Sequence, residues 1–152
     1  MRVNQAYNFR KVSDKLSTSG LLSPEQLRAL KREGYEVVVN LLPEDSEYAI
    51  EGEAAIVREQ GIAYEYVPVD FSAPTEHDYR AFERILSGLD AKKVMLHCAA
   101  NYRVSAFYSI YACFNQGWSV TQAREFMGTV WNLDDYPIWE QFVTTMLASK
   151  AD

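Results

Sequence analysis

Apolar positions along this chain switch between two periods. Short, nearly continuous apolar runs occur at Tyr35–Leu42, built on Val37-Val38-Val39 and Leu41-Leu42, at Ala63–Val69, and at Lys93–His97. The unbroken run at Tyr35–Leu42 predicts a strand covered on both faces, as in a parallel sheet, and the other two predict strands. Between them the apolar spacing becomes helical. Ser23-Pro24-Glu25-Gln26 supplies an N-cap, proline at the first helical position and a capping-box glutamine, with Gly34 closing the helix. Glu51–Gln60, with Ala54, Ala55 and Ile56 and a terminal Gly61, predicts a second helix, so the unit reads βαβ. Thr75-Glu76-His77-Asp78 caps a third, whose Tyr79, Phe82, Ile85, Leu86 and Leu89 share one face.

Helices alone fill the rest. One is predicted over Val104–Gln116, ending at Gly117, and a second opens at the capping box Ser119-Val120-Thr121-Gln122 and runs to about Val130. A third follows Asp135-Tyr136-Pro137 and carries Trp139, Phe142, Val143 and Met146. The first twenty residues read as a loop through Tyr7-Asn8-Phe9, then a short strand within Lys15–Ser19 closed by Gly20. Strands alternating with helices, followed by helices, predict a three-layer α/β single domain over residues 1–152. Its central, mainly parallel sheet should have about four or five strands, and its C-terminal third should be helical.

Composition narrows the function. The net charge is −6 with a sequence pI near 5.0, and no basic cluster stands out, so nucleic acid is not expected as a partner. No run approaches membrane-spanning length, the N-terminus has no signal-peptide core, and a cytoplasmic address is the expectation. With only Cys98 and Cys113, a disulfide framework is not expected and a reduced thiol is. His77 and His97 are the only imidazoles, and neither a metal site nor a cofactor is predicted.

The stretch Val94-Met95-Leu96-His97-Cys98-Ala99-Ala100-Asn101-Tyr102-Arg103-Val104-Ser105 concentrates the candidate chemistry. It is a buried strand ending in His-Cys, a tight loop, and a helix start. Loop N–H groups and a helix N-terminus hold an anion and favour a thiolate. Cys98 is therefore the candidate nucleophile and Arg103 the bidentate ligand for phosphoryl oxygens. Ala99, Ala100, Asn101 and Tyr102 would offer loop amides, and Ser105 is near enough to donate to the sulfur. His97 would support the loop, and Asp70, just past a strand end, is the candidate general acid. In a parallel sheet, Asp70 and Cys98 would share the crevice at the strand carboxyl ends. Phe71 would line its mouth. Asp78 is explained by its capping box, His77 by a solvated first turn, Cys113 by packing, and the larger aromatics by the core.

These motifs resemble the cysteine-dependent protein phosphatase superfamily, of the small dual-specificity kind. They are most similar to a bacterial group with loops of the form His-Cys-Ala-Ala-Asn-x-Arg-Val-Ser. The resemblance runs from about Asn8 to Trp139 and includes Leu16-Ser17-Thr18-Ser19-Gly20, Val38-Val39-Asn40-Leu41 and Tyr66-Val67-Pro68-Val69-Asp70. It implies a phosphocysteine at Cys98, phosphate binding by Arg103, acid catalysis by Asp70, and a phosphorylated substrate or a phosphate or sulfate anion as the partner. The usual superfamily loop is His-Cys-x-x-Gly-x-x-Arg-Ser. Here four residues separate Cys98 from Arg103, Asn101 stands at the glycine, and Val104 stands at the arginine. Either the arginine has moved one place earlier, about 100° around the helix start, or the loop is one residue shorter. A four-residue gap is also similar to rhodanese-like sulfurtransferases, which work through a cysteine persulfide. An anion-binding module without turnover is a third possibility.

Overall fold

The computed structural model describes residues 2–149. Its sheet is formed by β1 (Arg10–Ser13), β2 (Leu16–Ser19), β3 (Val37–Asn40), β4 (Ala63–Tyr66) and β5 (Val94–His97), in the order β1-β2-β5-β3-β4. β2, β5, β3 and β4 are mutually parallel, and β1 pairs antiparallel with β2 at the edge. The helices are α1 (Pro24–Ala29), α2 (Glu53–Glu59), α3 (Glu76–Ser87), α4 (Tyr102–Asn115), α5 (Val120–Gly128) and α6 (Pro137–Ala148). The layered α/β architecture is the one expected.

The continuous apolar strands are the middle of the sheet. All four residues of β3 and of β5 are buried, and their side chains divide between two faces. Val37, Val39, Val94 and Leu96 enter the core shared with α3–α6, while Val38 and Met95 enter the smaller core under α1 and α2. This is the strand period of two, with both faces covered. α4 is buried without interruption from Val104 to Cys113, as befits a helix enclosed by the sheet, α5 and α6. Because β5 lies between β2 and β3, Cys98 emerges at the centre of the sheet's carboxyl edge.

Two local expectations are corrected. The segment before Lys15 was expected to be loop but contains β1, joined to β2 through the turn at Asp14-Lys15. Its sequence Arg-Lys-Val-Ser has one apolar residue because it is a half-exposed edge strand. The first helix stops at Ala29, short of the expected end, and turns carry the chain to Gly34. The Tyr35 N–H returns to the Leu30 carbonyl at 3.0 Å, and Gly34 has φ +91°.

The N-terminal segment is strapped onto the loop after β5. The Gly20 N–H donates to the Tyr7 carbonyl at 2.7 Å, and the Leu21 N–H donates to the Ala99 carbonyl at 3.0 Å. A Cβ at Gly20 would lie 2.7 Å from the Ala99 oxygen and 2.9 Å from the Tyr7 oxygen, both backbone. Gly20→Ala is therefore expected to destabilise the fold by about 1–3 kcal/mol, as overpacking against fixed atoms does. Denaturant unfolding checks this, and an unchanged midpoint would show that the approach is not needed.

Candidate active site

The loop from Cys98 to Asn101 is built by fixing one carbonyl after another. The Cys98 carbonyl lies 3.3 Å from His97 Nδ1, and that of Ala99 accepts from the Leu21 N–H. The Ala100 carbonyl accepts from Asn8 Nδ2 at 3.0 Å, and that of Asn101 accepts from the Ser105 N–H at 2.9 Å. In a trans peptide the carbonyl and the following N–H point opposite ways. Pinning four carbonyls therefore turns the N–H groups of Ala99, Ala100, Asn101 and Tyr102 to the other side. Among the described residues, no protein acceptor takes the N–H groups of Ala99, Ala100, Tyr102 or Arg103, while the antiparallel bridge between Gly20 and Ala100 turns the Asn101 N–H toward the Ser19 carbonyl. Free amides beside the start of a 14-residue helix are groups that an anion can satisfy.

Asn101 makes the turn. It is left-handed at φ +71°, consistent with a residue standing at the family's glycine position. Its Nδ2 donates to the Asn8 carbonyl at 2.8 Å and to Thr18 Oγ1 at 2.9 Å, and it is fully buried. Cys98 is also fully buried, and neither cysteine is in a disulfide.

Arg103 leans from the first turn of α4 toward the segment after β4. Its Nε donates to the Val69 carbonyl at 2.9 Å and its guanidinium lies 5.0 Å from the Phe71 ring centre. The two terminal amines bond no protein group among the described residues. Arg103 lines a cleft of about 600 Å³ with Pro43, Asp45, Pro68, Asp70 and Phe71. The structure thus brings Arg103 and Asp70 together.

Asp70 is exposed, and its Oδ1 accepts from both the N–H and the hydroxyl of Ser72, at 2.9 and 2.8 Å. The Ser72 hydroxyl, then the Ser72 N–H, then the nearby Arg103 charge hold the carboxyl below its usual range. In this state Asp70 is a carboxylate, and its contacts are with Ser72 and Arg103 rather than with the Cys98 loop.

Two loop residues do more structural work than their sequence suggested. Tyr102 is half-buried and stacks on Trp131, with ring centres 4.4 Å apart, within a wall that also holds Phe71 and Tyr136. The Ser105 hydroxyl donates to the Tyr102 carbonyl at 3.2 Å rather than to the sulfur, so both polar groups of Ser105 brace the loop. Sequence reasoning missed Asn8, Thr18 and a buried carboxylate, Glu53, whose Oε2 lies 2.5 Å from His97 Nε2. Asp78 forms the expected reciprocal cap with Thr75.

With this geometry in view, the comparisons fall into place. No family model matches the chain. Two crystal structures of a DUF442 protein of Shewanella putrefaciens CN-32, which carries a phosphatase name, are each 34% identical to it. Their TM-scores are 0.86 and 0.87, and the alignments cover 97% and 99% of this chain and 93% and 97% of theirs. The chain belongs to this DUF442 group. The "Beta-lactamase hydrolase-like protein" of two Xylella fastidiosa strains is 30% identical over 102 residues. That match takes in 65% of this chain but only 23% of the length of those relatives. Pseudomonas aeruginosa TpbA shares the fold at 20% identity, with a TM-score of 0.74 over 96% of this chain and 92% of its own. One TpbA crystal structure contains phosphotyrosine.

Ser72→Ala is expected to raise the pH at which Asp70 titrates, because the largest stabiliser of its charged form is removed. Part of the depression should remain through the Ser72 N–H and Arg103. Carboxyl-resolved NMR titration reads this directly, and an unmoved midpoint would remove Ser72 as the cause.

Proposed function

We propose that the chain is a phosphomonoester hydrolase that turns over through a phosphocysteine at Cys98. The observation that carries the proposal is the set of unpartnered N–H groups of Ala99, Ala100, Tyr102 and Arg103 after the end of β5, beside a guanidinium whose terminal amines are free. Fixed donors of this kind stabilise the equatorial oxygens of a transferring phosphoryl group without reorganising. The DUF442 relationship and the phosphotyrosine bound by TpbA support a phosphorylated substrate.

In the first step the Cys98 thiolate attacks phosphorus, the bond to the leaving oxygen breaks, and Asp70 gives that oxygen its proton. In the second, water attacks the phosphocysteine, Asp70 takes a proton back, and the P–S bond breaks to return the thiolate and release phosphate. Arg103 binds two phosphoryl oxygens through its terminal amines while Nε stays on Val69. Asn101 and Ser105 shape the loop, and His97 holds its first peptide. Phe71 gives an aromatic substrate an apolar shelf. Because Ser72 and Arg103 lower the Asp70 pKa, its acid-competent form belongs to acidic solution. Turnover of esters with poor leaving groups should fall as pH rises through that pKa. Oxidation of Cys98 would end catalysis, which fits a reducing, cytoplasmic setting.

Cys98→Ser is expected to abolish hydrolysis of an aryl phosphate with the fold intact by circular dichroism. Asp70→Asn should slow poor leaving groups far more than activated ones, and equal losses would remove Asp70 as the acid. Parallel assays with an aryl phosphate and with thiosulfate plus cyanide test the reaction class. Sulfur transfer without phosphate release would establish a persulfide enzyme instead. Phosphate binding with neither activity would establish a binding module.

A further inference from the structure

His97 ends β5 with no solvent exposure, and the two groups its ring meets are both acceptors. Nδ1 lies 3.3 Å from the Cys98 carbonyl and Nε2 lies 2.5 Å from Glu53 Oε2. A neutral imidazole has one N–H and can satisfy only one of them. The Cys98 carbonyl can only accept, so an N–H at Nδ1 is what holds it, and Nε2 is then the nitrogen that Glu53 meets.

Glu53 is fixed in turn. It is buried at 6% exposure in the first turn of α2, and its Oε2 accepts from the Tyr64 hydroxyl at 3.1 Å. That hydroxyl accepts from Asn40 Nδ2 at 2.9 Å, and Asn40 Oδ1 accepts from the Leu42 N–H at 2.9 Å. Burial, then the Glu53 charge, push the Tyr64 phenol well above its usual range, so it remains a donor. Glu44 and Glu51 line the cleft beside Asn40, Glu53 and Tyr64 and are the other carboxylates there. The chain of bonds thus runs from β3 and β4 through α2 to the end of β5.

We propose that Glu53 is a positioning residue for the Cys98 loop. The Cys98 carbonyl and the Ala99 N–H belong to one planar peptide, so holding the oxygen inward turns that N–H outward. Glu53 keeps His97 in the state that does this.

The proposal rests on the phosphatase reading for its rate, and phosphate affinity gives a readout that does not. Glu53→Ala, Glu53→Gln and Val57→Ala are compared by aryl phosphate kinetics, by calorimetry with inorganic phosphate, and by thermal unfolding. Glu53→Ala should lose about tenfold to a hundredfold in kcat/KM, the usual cost of a misplaced reacting group, and should also bind phosphate more weakly. Glu53→Gln should remain within about threefold of wild type, since its amide N–H can donate to Nε2 and leave Nδ1–H on Cys98. Val57 is buried on the same helix in the core under α1 and α2; its truncation controls for lost stability and should move neither readout. The idea is overturned if Glu53→Ala matches wild type, if Glu53→Gln fails to rescue, or if Val57→Ala loses as much. Should Glu53→Ala not fold, Tyr64→Phe carries the test: weaker phosphate binding supports the role and unchanged binding sinks it. Wild-type protein that binds phosphate but hydrolyses no aryl ester ends the turnover reading, and binding alone then decides Glu53.

Discussion

Four peptide planes decide what this protein can do. Each has its carbonyl tied down, by an imidazole, by the Leu21 amide, by the Asn8 side chain and by the Ser105 amide, and each therefore presents an N–H on the opposite side. An unsatisfied buried amide is costly, which is why loops seldom collect several together. Here the amides lie beside the start of α4, where an anion would be a natural partner, and Ala99 and Ala100 are only partly buried. The rest of the fold supplies the tethers. The parallel sheet brings β5 to its centre, the N-terminal strap brings Asn8 and Gly20 alongside, and α4 brings Ser105 back beneath the turn.

Two asparagines lock the strap and the loop reciprocally. Asn8 and Asn101 are both left-handed, at φ +52° and +71°, and each side chain donates to backbone on the other's side of the contact. The superfamily's glycine would make the turn at Asn101 more freely, but it could not bond the Asn8 carbonyl or Thr18. The substitution exchanges conformational freedom for two tethers. β2 carries Ser17, Thr18 and Ser19, all buried, and each has its own hydrogen-bond partner, Ser19 through the Tyr7 and Gly20 carbonyls. Thr18 receives Asn101, and Ser17 receives the Tyr35 hydroxyl at 3.0 Å.

The central strands and nearly every helix were legible because their signals are local. Val37-Val38-Val39 and Val94-Met95-Leu96 are apolar on both faces, and Ser23, Thr75 and Ser119 open helices with side chains that bond within three residues. β1 was not legible, since an edge strand needs only one buried face and its turn has neither glycine nor asparagine. Cys98, Arg103 and Asp70 could be chosen from the pattern at strand ends, but their supports could not. Glu53 lies 44 residues from His97 and Asn8 lies 93 from Asn101. In sequence, an acid in the first turn of a helix looks like a complement to its dipole. Only the fold shows that its carboxylate faces an imidazole.

The early position of Arg103 acquires a physical meaning from its contacts. One residue earlier on a helix turns a side chain by about 100°, and here that side chain reaches the Val69 carbonyl and the Phe71 face. Arginine suits this place because Nε can serve one neighbour while the terminal amines remain free for another. A lysine would have no second donor group to divide in this way. The same guanidinium also favours the Asp70 carboxylate, so the proposed phosphate ligand and the acidity of the candidate proton donor are coupled through one residue. When a dianionic ligand takes up the Arg103 charge, less of it acts on Asp70, and the ligand's own charge disfavours the carboxylate. Both changes raise the Asp70 pKa. Ligand binding would therefore move the carboxyl toward the protonated form that acid catalysis needs, without a metal ion or a change of fold.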